Sequence, residues 1–342
     1  MPVGGLTVER SDRCSGQTLV VIVLFMFALL GMCAMAIDVG SWYQVKRNLQ
    51  NDADAAALAG AGVLPAGWSA AQTSAASNFS KNAKTGETAV YQNTKTLVAN
   101  DTVKVTVSRP APTYFAKMFG IGSVHVTATA SATMKSYTKV IPKGNVMPWG
   151  IMKNSFNPGS SYTLYTDNST PNNGAISLPV MNSSNTACTG TSGASDYRDS
   201  ITGPANGGLN TCPISVGDVE PVKTGQNSGP TRQGIDTRIT SWQSVSSIVT
   251  IGSNGTATIL QPNSPQLVIL PIIEDMGGGT TFPSGSGNVR IVGFAYFVIT
   301  GYSNGGKTVT GTFVTAQGVN DGWETGAWDG GKNTAYTIEL TN

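Results

Sequence analysis

Apolar residues fill positions 18 to 37 without a single charge, and only Thr18 and Gly31 in that window are not apolar. At about 1.5 Å per helical residue the run spans roughly 30 Å, the thickness of a bilayer's hydrocarbon core. Asp38 closes the apolar run, yet no proline or turn cluster stops a helix there. The pattern then becomes amphipathic. Trp42, Val45, Leu49, Ala53 and Ala56 share one stripe, while Arg47, Asn51 and Asp54 lie roughly opposite. This predicts one rod that starts inside a membrane and finishes outside it as an Ala-rich helix.

A break at Leu64-Pro65-Ala66-Gly67 separates this rod from a second helix expected over 69–84. The period then drops to two. Val103, Val105 and Val107 alternate with Thr102, Lys104 and Thr106 as a half-buried strand, and 124–134 alternates in the same way. Between them Pro110 and Pro112 interrupt, and 113–119 reads as a short helix ended by Gly120. Two helices and two strands predict a small α+β module packed against the outer half of the first helix.

From Asn145 onward the chain is β-rich, with turns of Gly, Asn and Pro. Strands are expected at 161–165, 175–180, 246–251, 267–273, 289–300 and 308–315, with Asn304-Gly305-Gly306-Lys307 joining the last pair as a hairpin. The run from Val289 is almost continuously apolar, which predicts a central strand covered on both faces. Residues 183 to 234 are the least regular, and the tail carries Trp323, Trp328 and a strand at 335–340. The expected fold class is α+β. It comprises a cytoplasmic lead over 1–17, a transmembrane helix over 18–37, an amphipathic helix with a small α+β module over 38–140, and a β-rich extracytoplasmic domain over 145–342.

Composition supports export. Only 12% of the 342 residues are charged and 41 are glycine, so Ser, Thr and Asn fill the surface role of Lys and Glu. Such chains are typical of secreted or cell-surface β-structure. A net charge of +2 with no basic run argues against a nucleic-acid partner. Arg10 and Arg13 precede the apolar run, but Lys46 and Arg47 follow it and dilute the charge bias. The composition of the body therefore places the N-terminus in the cytoplasm.

Of the four cysteines, Cys14 and Cys33 lie at and inside the apolar segment. Cys188 and Cys212 lie in a Gly/Asn/Thr-rich region without Cys-x-x-Cys spacing or a nearby histidine. In an exported domain they read as a disulfide clamping a long loop, worth about 3 kcal/mol on the chain-entropy model, against the alternative of free buried thiols. Ala34-Met35-Ala36 has the A-x-A form of a signal-peptidase site. The length of the apolar core and the unbroken helical pattern favour a retained anchor over cleavage after Ala36. Met32, where a small residue is needed, disfavours a lipid anchor at Cys33.

Candidate chemistry is sparse. Gly301-Tyr302-Ser303-Asn304-Gly305 has G-x-S-x-G spacing, but the hydrolase elbow needs a helix after its turn and a strand follows here. His125, the sole histidine, sits in an alternating β segment. One histidine and scattered cysteines make no zinc site. Asp321, Glu324 and Asp329 cluster as calcium candidates, but their spacing matches no EF-hand loop, and solvated turn carboxylates are the ordinary reading. The expectation is a protein without catalytic residues, metal, cofactor or small-molecule substrate.

The most specific features surround the apolar helix. Gly16-Gln17 precedes it, Ile37-Asp38-Val39-Gly40 marks its exit, and Leu49-Gln50-Asn51-Asp52-Ala53-Asp54-Ala55-Ala56-Ala57-Leu58-Ala59-Gly60-Ala61 follows. In this order they resemble the N-terminal segment of the TadG-like and TadE-like proteins of the Flp (tight-adherence) pilus-assembly machinery. The body is similar to the extracytoplasmic region of some members at Met147-Pro148-Trp149-Gly150-Ile151, Gly217-Asp218-Val219-Glu220-Pro221, Gly229-Pro230-Thr231, Gly234-Ile235-Asp236-Thr237-Arg238, 265–273 and 289–297. It departs at Gly174-Ala175-Ile176, which lacks an aromatic after its glycine, and at Gln266, where a basic residue is expected.

The resemblance implies a membrane-anchored, non-enzymatic assembly or surface component of a bacterial pilus or secretion system, with other pilus-assembly proteins as partners through the N-terminal helix. Two expectations concern that helix. Asp38 places a carboxylate in the interfacial region beside the stripe rather than in a cleft. The small face from Ala53 to Ala61 admits close approach of another helix, unless it covers the chain's own sheet. A rival reading is a secreted, adhesin-like binding module released by cleavage after Ala36, gripping glycans through Trp323 and Trp328.

Overall fold

The computed structural model describes residues 15–141, 145–153, 155–168, 170–182, 184, 187–189, 193–253, 255–318, 323–328 and 335–341. Helix α1 (Ser15–Ala61) is one unbroken rod of 47 residues. A 3₁₀ turn (Leu64–Ala66) carrying Pro65 ends its course, and Gly67 reverses the chain with φ of 100°. Helix α2 (Trp68–Asn82) then packs back along α1. The antiparallel strands β1 (Thr88–Thr94), β2 (Thr102–Pro112) and β3 (Ser123–Val140) follow.

The interior of this first layer is built from small residues. Ala53, Ala56, Ala57 and Ala61 of α1 pack with Ala128, Ala130 and Ala132 of β3 and with Val103, Val105 and Val107 of β2. Alanine facing alanine lets the helix lie close on the sheet. At Gly60 an added Cβ would stand 3.0 Å from Val103 Cγ1 and 3.1 Å from Ala75 Cβ, so this glycine marks the crossing of α1, α2 and β2.

The next segment runs through β4 (Trp149–Met152), β5 (Ser161–Tyr165), β6 (Asn173–Ala175), β7 (Val180–Met181), β8 (Cys188–Thr189), α3 (Ala194–Thr202), β9 (Ile214–Ser215), β10 (Val219–Pro221), α4 (Ser228–Arg238) and α5 (Val245–Ile248). It continues with β11 (Val249–Ile251), β12 (Thr256–Ile259), β13 (Leu267–Asp275), β14 (Asn288–Ser303) and β15 (Thr308–Ala316). The second sheet has the order β11-β12-β15-β14-β13-β4-β6, with β10 also on β14 and β5 also on β15. It is mixed, since β12 pairs with β15 and β13 with β4 in parallel.

As the apolar run from Val289 predicts, the centre of this sheet is covered on both faces. Val268, Leu270, Ala295 and Phe297 enter one core with Tyr197 and Ile201 of α3 and Ile235 of α4. Leu267, Ile269, Phe294 and Tyr296 enter another with Tyr137 and Val140 of β3. Strand β3 therefore belongs to both halves of the molecule.

The tail also returns to β3. Strand β16 (Glu324–Ala327) pairs Gly326 with Ser136, and β17 (Tyr336–Leu340) pairs Tyr336 with the same Ser136, so the two flank β3 on opposite edges. β9 continues the pairing at Val140. The overall class is α+β, as the sequence predicts. Several elements differ in detail. The strand expected at 246–251 is helical to Ile248 and extended only from Val249. The strand expected at 175–180 divides between β6 and β7. Residues 183–234 contain α3 and α4.

Candidate membrane and assembly interface

Helix α1 has two environments. No residue from 18 to 33 is buried, and the whole window is long and apolar enough to cross a membrane. Beyond it, Val45, Leu49, Ala53, Ala56, Ala57 and Ala61 are buried in the first core, with Trp42 packed partly against it. The predicted stripe is the buried face. Gln50 Nε2 donates to Thr129 O at 3.1 Å, tying the helix to β3, and to Asp54 Oδ1 on the same helix at 2.8 Å.

Of the two readings of the small face, this packing matches the one in which it covers the chain's own sheet. Ala53, Ala56, Ala57, Gly60 and Ala61 are occupied by α2, β2 and β3 of the same chain. After the apolar window α1 leaves Val39, Gly40, Tyr43, Gln44, Lys46, Arg47, Asn51 and, further out, Leu58 exposed, while Ala59 is half-buried and accepts a hydrogen bond from Ser74 Oγ. An added Cβ at Gly40 meets nothing within 4 Å, so nothing in the chain's own packing explains a glycine there. Gly16 and Gln17 lie in the first turn of α1, and their side chains are outside the described residues, as are all of residues 1–14, including Arg10, Arg13 and Cys14.

Asp38 is also placed differently from expectation. It is buried, and its carboxylate accepts from the amides of the β2–β3 connection: Tyr114 N at 2.7 Å and Phe115 N at 3.2 Å on Oδ1, with Phe115 N at 3.1 Å and Ala116 N at 2.7 Å on Oδ2. A carboxylate on free amides makes charge-assisted bonds about twice as strong as neutral ones. The segment it holds is a 3₁₀ turn (Ala116–Phe119) closed by Gly120 in the left-handed region, shorter than the helix expected over 113–119. Around this turn Tyr114, Phe115, Met118, Phe119 and Ile121 are exposed. The sequence carries the signal for this cluster in an aromatic run bounded by Pro112 and Gly120.

The body motifs converge in the interior. Trp149 Nε1 donates to Tyr197 OH at 2.8 Å, and Tyr197 OH pairs with Thr231 Oγ1 at 3.2 Å. Burial pushes the Tyr197 phenol up to about 12. Arg238 is buried and donates to Pro265 O, Ile201 O and Asn145 Oδ1, and burial brings its guanidinium down to about 10. An added Cβ at Gly234 would stand 2.8 Å from Ile201, so α4 and α3 touch there. One of the two departures has a local reason, at Gln266, whereas nothing in the structure explains Ala175 in place of an aromatic. Gln266 accepts from Gln243 N at 2.6 Å and donates to Gln243 O and Ile299 O, a mixed role no basic side chain fills. Gly174 lies under the ring of Phe282, where a Cβ would be 2.4 Å from Cε1.

Cys188 and Cys212 form the expected disulfide, with Cα atoms 5.9 Å apart, and Cys33 is free and exposed on α1. Gly301 to Gly305 ends β14 and enters a 3₁₀ turn leading to β15, so Ser303 stands at a hairpin rather than an elbow. His125 is exposed on β3. Glu324 pairs with Lys139 at 2.8 Å, while its companions Asp321 and Asp329 lie outside the described residues. Trp323 packs against the second core, edge-on to Tyr137 at 4.6 Å, and Trp328 packs against the first. Both rings are half-buried against these cores.

A helix that is apolar and exposed over one half, and bound into a folded module over the other, fits a single-pass membrane anchor. Residues 16–63 match the family model described as putative Flp pilus-assembly TadE/G-like. The N-terminal segment is thus a Tad domain, which supports involvement of the chain in Flp pilus assembly. Neither a curated protein nor a solved structure matches the chain.

Proposed function

We propose that the chain is a non-enzymatic, single-pass component of Flp/Tad pilus assembly or secretion. Its anchor lies in the bacterial cytoplasmic membrane, its N-terminus in the cytoplasm and its body outside, and it engages other pilus-assembly proteins through α1. The observation that carries this reading is the coincidence of the family match at 16–63 with α1, the element on which the first module is built. Because the Ala53–Ala61 face is filled internally, the partner-facing surface of α1 is the opposite one, with Val39, Gly40 and Tyr43 at the membrane exit and Leu58 further out.

The test is a photo-crosslinking residue at Val39 or Tyr43 in cells assembling Flp pili, with fractionation and N-terminal sequencing of the same protein. The expected outcome is an intact chain in the membrane fraction, crosslinked to a pilus component. A soluble product beginning at Ile37 would replace this reading with the secreted module. An intact anchored chain with no pilus crosslink from any exposed α1 position would remove the assigned partner surface.

A further inference from the structure

We propose that the β2–β3 tip, residues 113–122, is a second membrane contact that seats its apolar side chains in the lipid interface beside the point where α1 leaves the bilayer. The inference rests on the reading of α1 as a membrane anchor.

The level of the tip is set by α1. Asp38, the first polar residue after the apolar window, holds the amides of Tyr114, Phe115 and Ala116. Farther along, Lys46 Nζ donates to Thr127 O and Gln50 Nε2 to Thr129 O. Helix and strand numbering rise together, so β3 runs alongside α1 in the same direction. The tip is therefore the end of the sheet nearest the apolar half of the rod, at the height where that half ends.

The tip's chemistry suits an interface between lipid and water. Met118 and Phe119 are 83% and 85% exposed, and Tyr114, Phe115 and Ile121 are exposed around them. Lys117 is the only charged residue from Pro110 to Ser123. These five exposed apolar side chains fall within eight residues of chain. Aromatic rings and a lysine whose stem lies in lipid with its ammonium at the headgroups are the usual interfacial set. Tyr43 stands exposed on α1 just beyond Asp38.

The backbone of the tip is also prepared for a dry setting. Asp38 takes three amides, Met118 N donates to Phe115 O at 3.0 Å, Gly120 N to Lys117 O at 3.1 Å and Ile121 N to Ala116 O at 3.2 Å. Thr113 Oγ1 donates to Ile121 O. Polar groups turned inward and apolar side chains turned outward are what a segment entering the interface requires. Continuity with the apolar face of α1 makes lipid the occupant. Two attachment points then fix how the module stands on the membrane.

The test uses the full chain in phosphatidylcholine liposomes, with Cys14 and Cys33 replaced by serine and the Cys188–Cys212 disulfide retained. An environment-sensitive fluorophore is placed on M118C, with L24C and S69C as comparators. All three positions are exposed. Lipids carrying a quencher at a shallow or a deep acyl position then report depth. The expected result is a blue-shifted label at 118 that loses most emission to the shallow quencher, a label at 24 that loses most to the deep one, and no loss at 69. A label at 118 that behaves like 69 while 24 is deeply quenched overturns the tip contact and leaves the anchor standing. No quenching at 24 overturns the anchor and the tip contact with it. Protection of 118 from aqueous iodide without lipid quenching places another copy of the chain on the tip and also overturns the proposal.

Discussion

Buried carboxylates in this protein have opposite consequences depending on what meets them. Asp101 is fully buried and accepts from Thr96 N, Leu97 N and Val98 N between 2.7 and 2.9 Å, and from Thr102 Oγ1. Burial alone would raise its carboxyl, but these donors outweigh it and hold it below the ordinary value. Its contribution to stability is present above the unfolded carboxylate range and is lost as pH falls through the depressed value. Glu220 is the reverse case. Burial, with Asp218 nearby, pushes it up from 4.5 to about 7. The folded state then prefers the neutral acid, so stability falls as pH rises from about 4.5 to 7 and is level above that. Glu220→Gln is expected to be more stable than the parent by on the order of 2 kcal/mol at pH 8 and equal to it near pH 4. Denaturant melts at the two pH values check this, and a stability difference that does not change with pH would contradict it.

At the scale of elements, α1 and β3 depend on alanine facing alanine. Ala56 has no exposed surface, and its neighbours are the strands and α2. Ala56→Leu is therefore expected to destabilise the first module by about 1 to 3 kcal/mol through overpacking. Leu58→Ala, at a position 37% exposed, is expected to cost under about 1 kcal/mol. Urea unfolding of the two variants separates them, and equal effects would mean that the Ala56 face is not the packed one. The same contrast explains what was legible in the sequence. The apolar window, the stripe from Val45 to Ala56 and the two-sided strand β14 advertise themselves by period. Helices α3 and α4 do not, because each reaches the core through few apolar anchors, Tyr197 and Ile201 in one and Ile235 in the other, set in a polar surround. Asp38 was legible as a boundary but not as a ligand for amides, because its partners lie 76 to 78 positions away.

At the scale of the whole molecule, the tail completes what the N-terminal half begins. Tyr336 is buried in the first core, and its hydroxyl donates to Gly62 O just past the end of α1 at 2.8 Å. Pairing of Tyr336 with Ser136 joins segments too distant in sequence for any local pattern to predict. Tyr336→Ala is expected to cost about 3 to 5 kcal/mol and to loosen β17 from β3. Hydrogen exchange at Ile338 and Leu340 checks it, and unchanged protection there would show that the tail is held by other means. Strand β3, about 60 Å long at roughly 3.3 Å per residue, connects the end beside the apolar helix to the second sheet. If the membrane half is held and the outer sheet is pulled, tension runs along β3's own axis. Its pairings with β2, β16 and β17 cross that axis, so they must slide together rather than open one at a time. Under load β3 is a tie bar, and the resistance of the molecule is set by how fast those strands shear, a rate rather than an equilibrium stability.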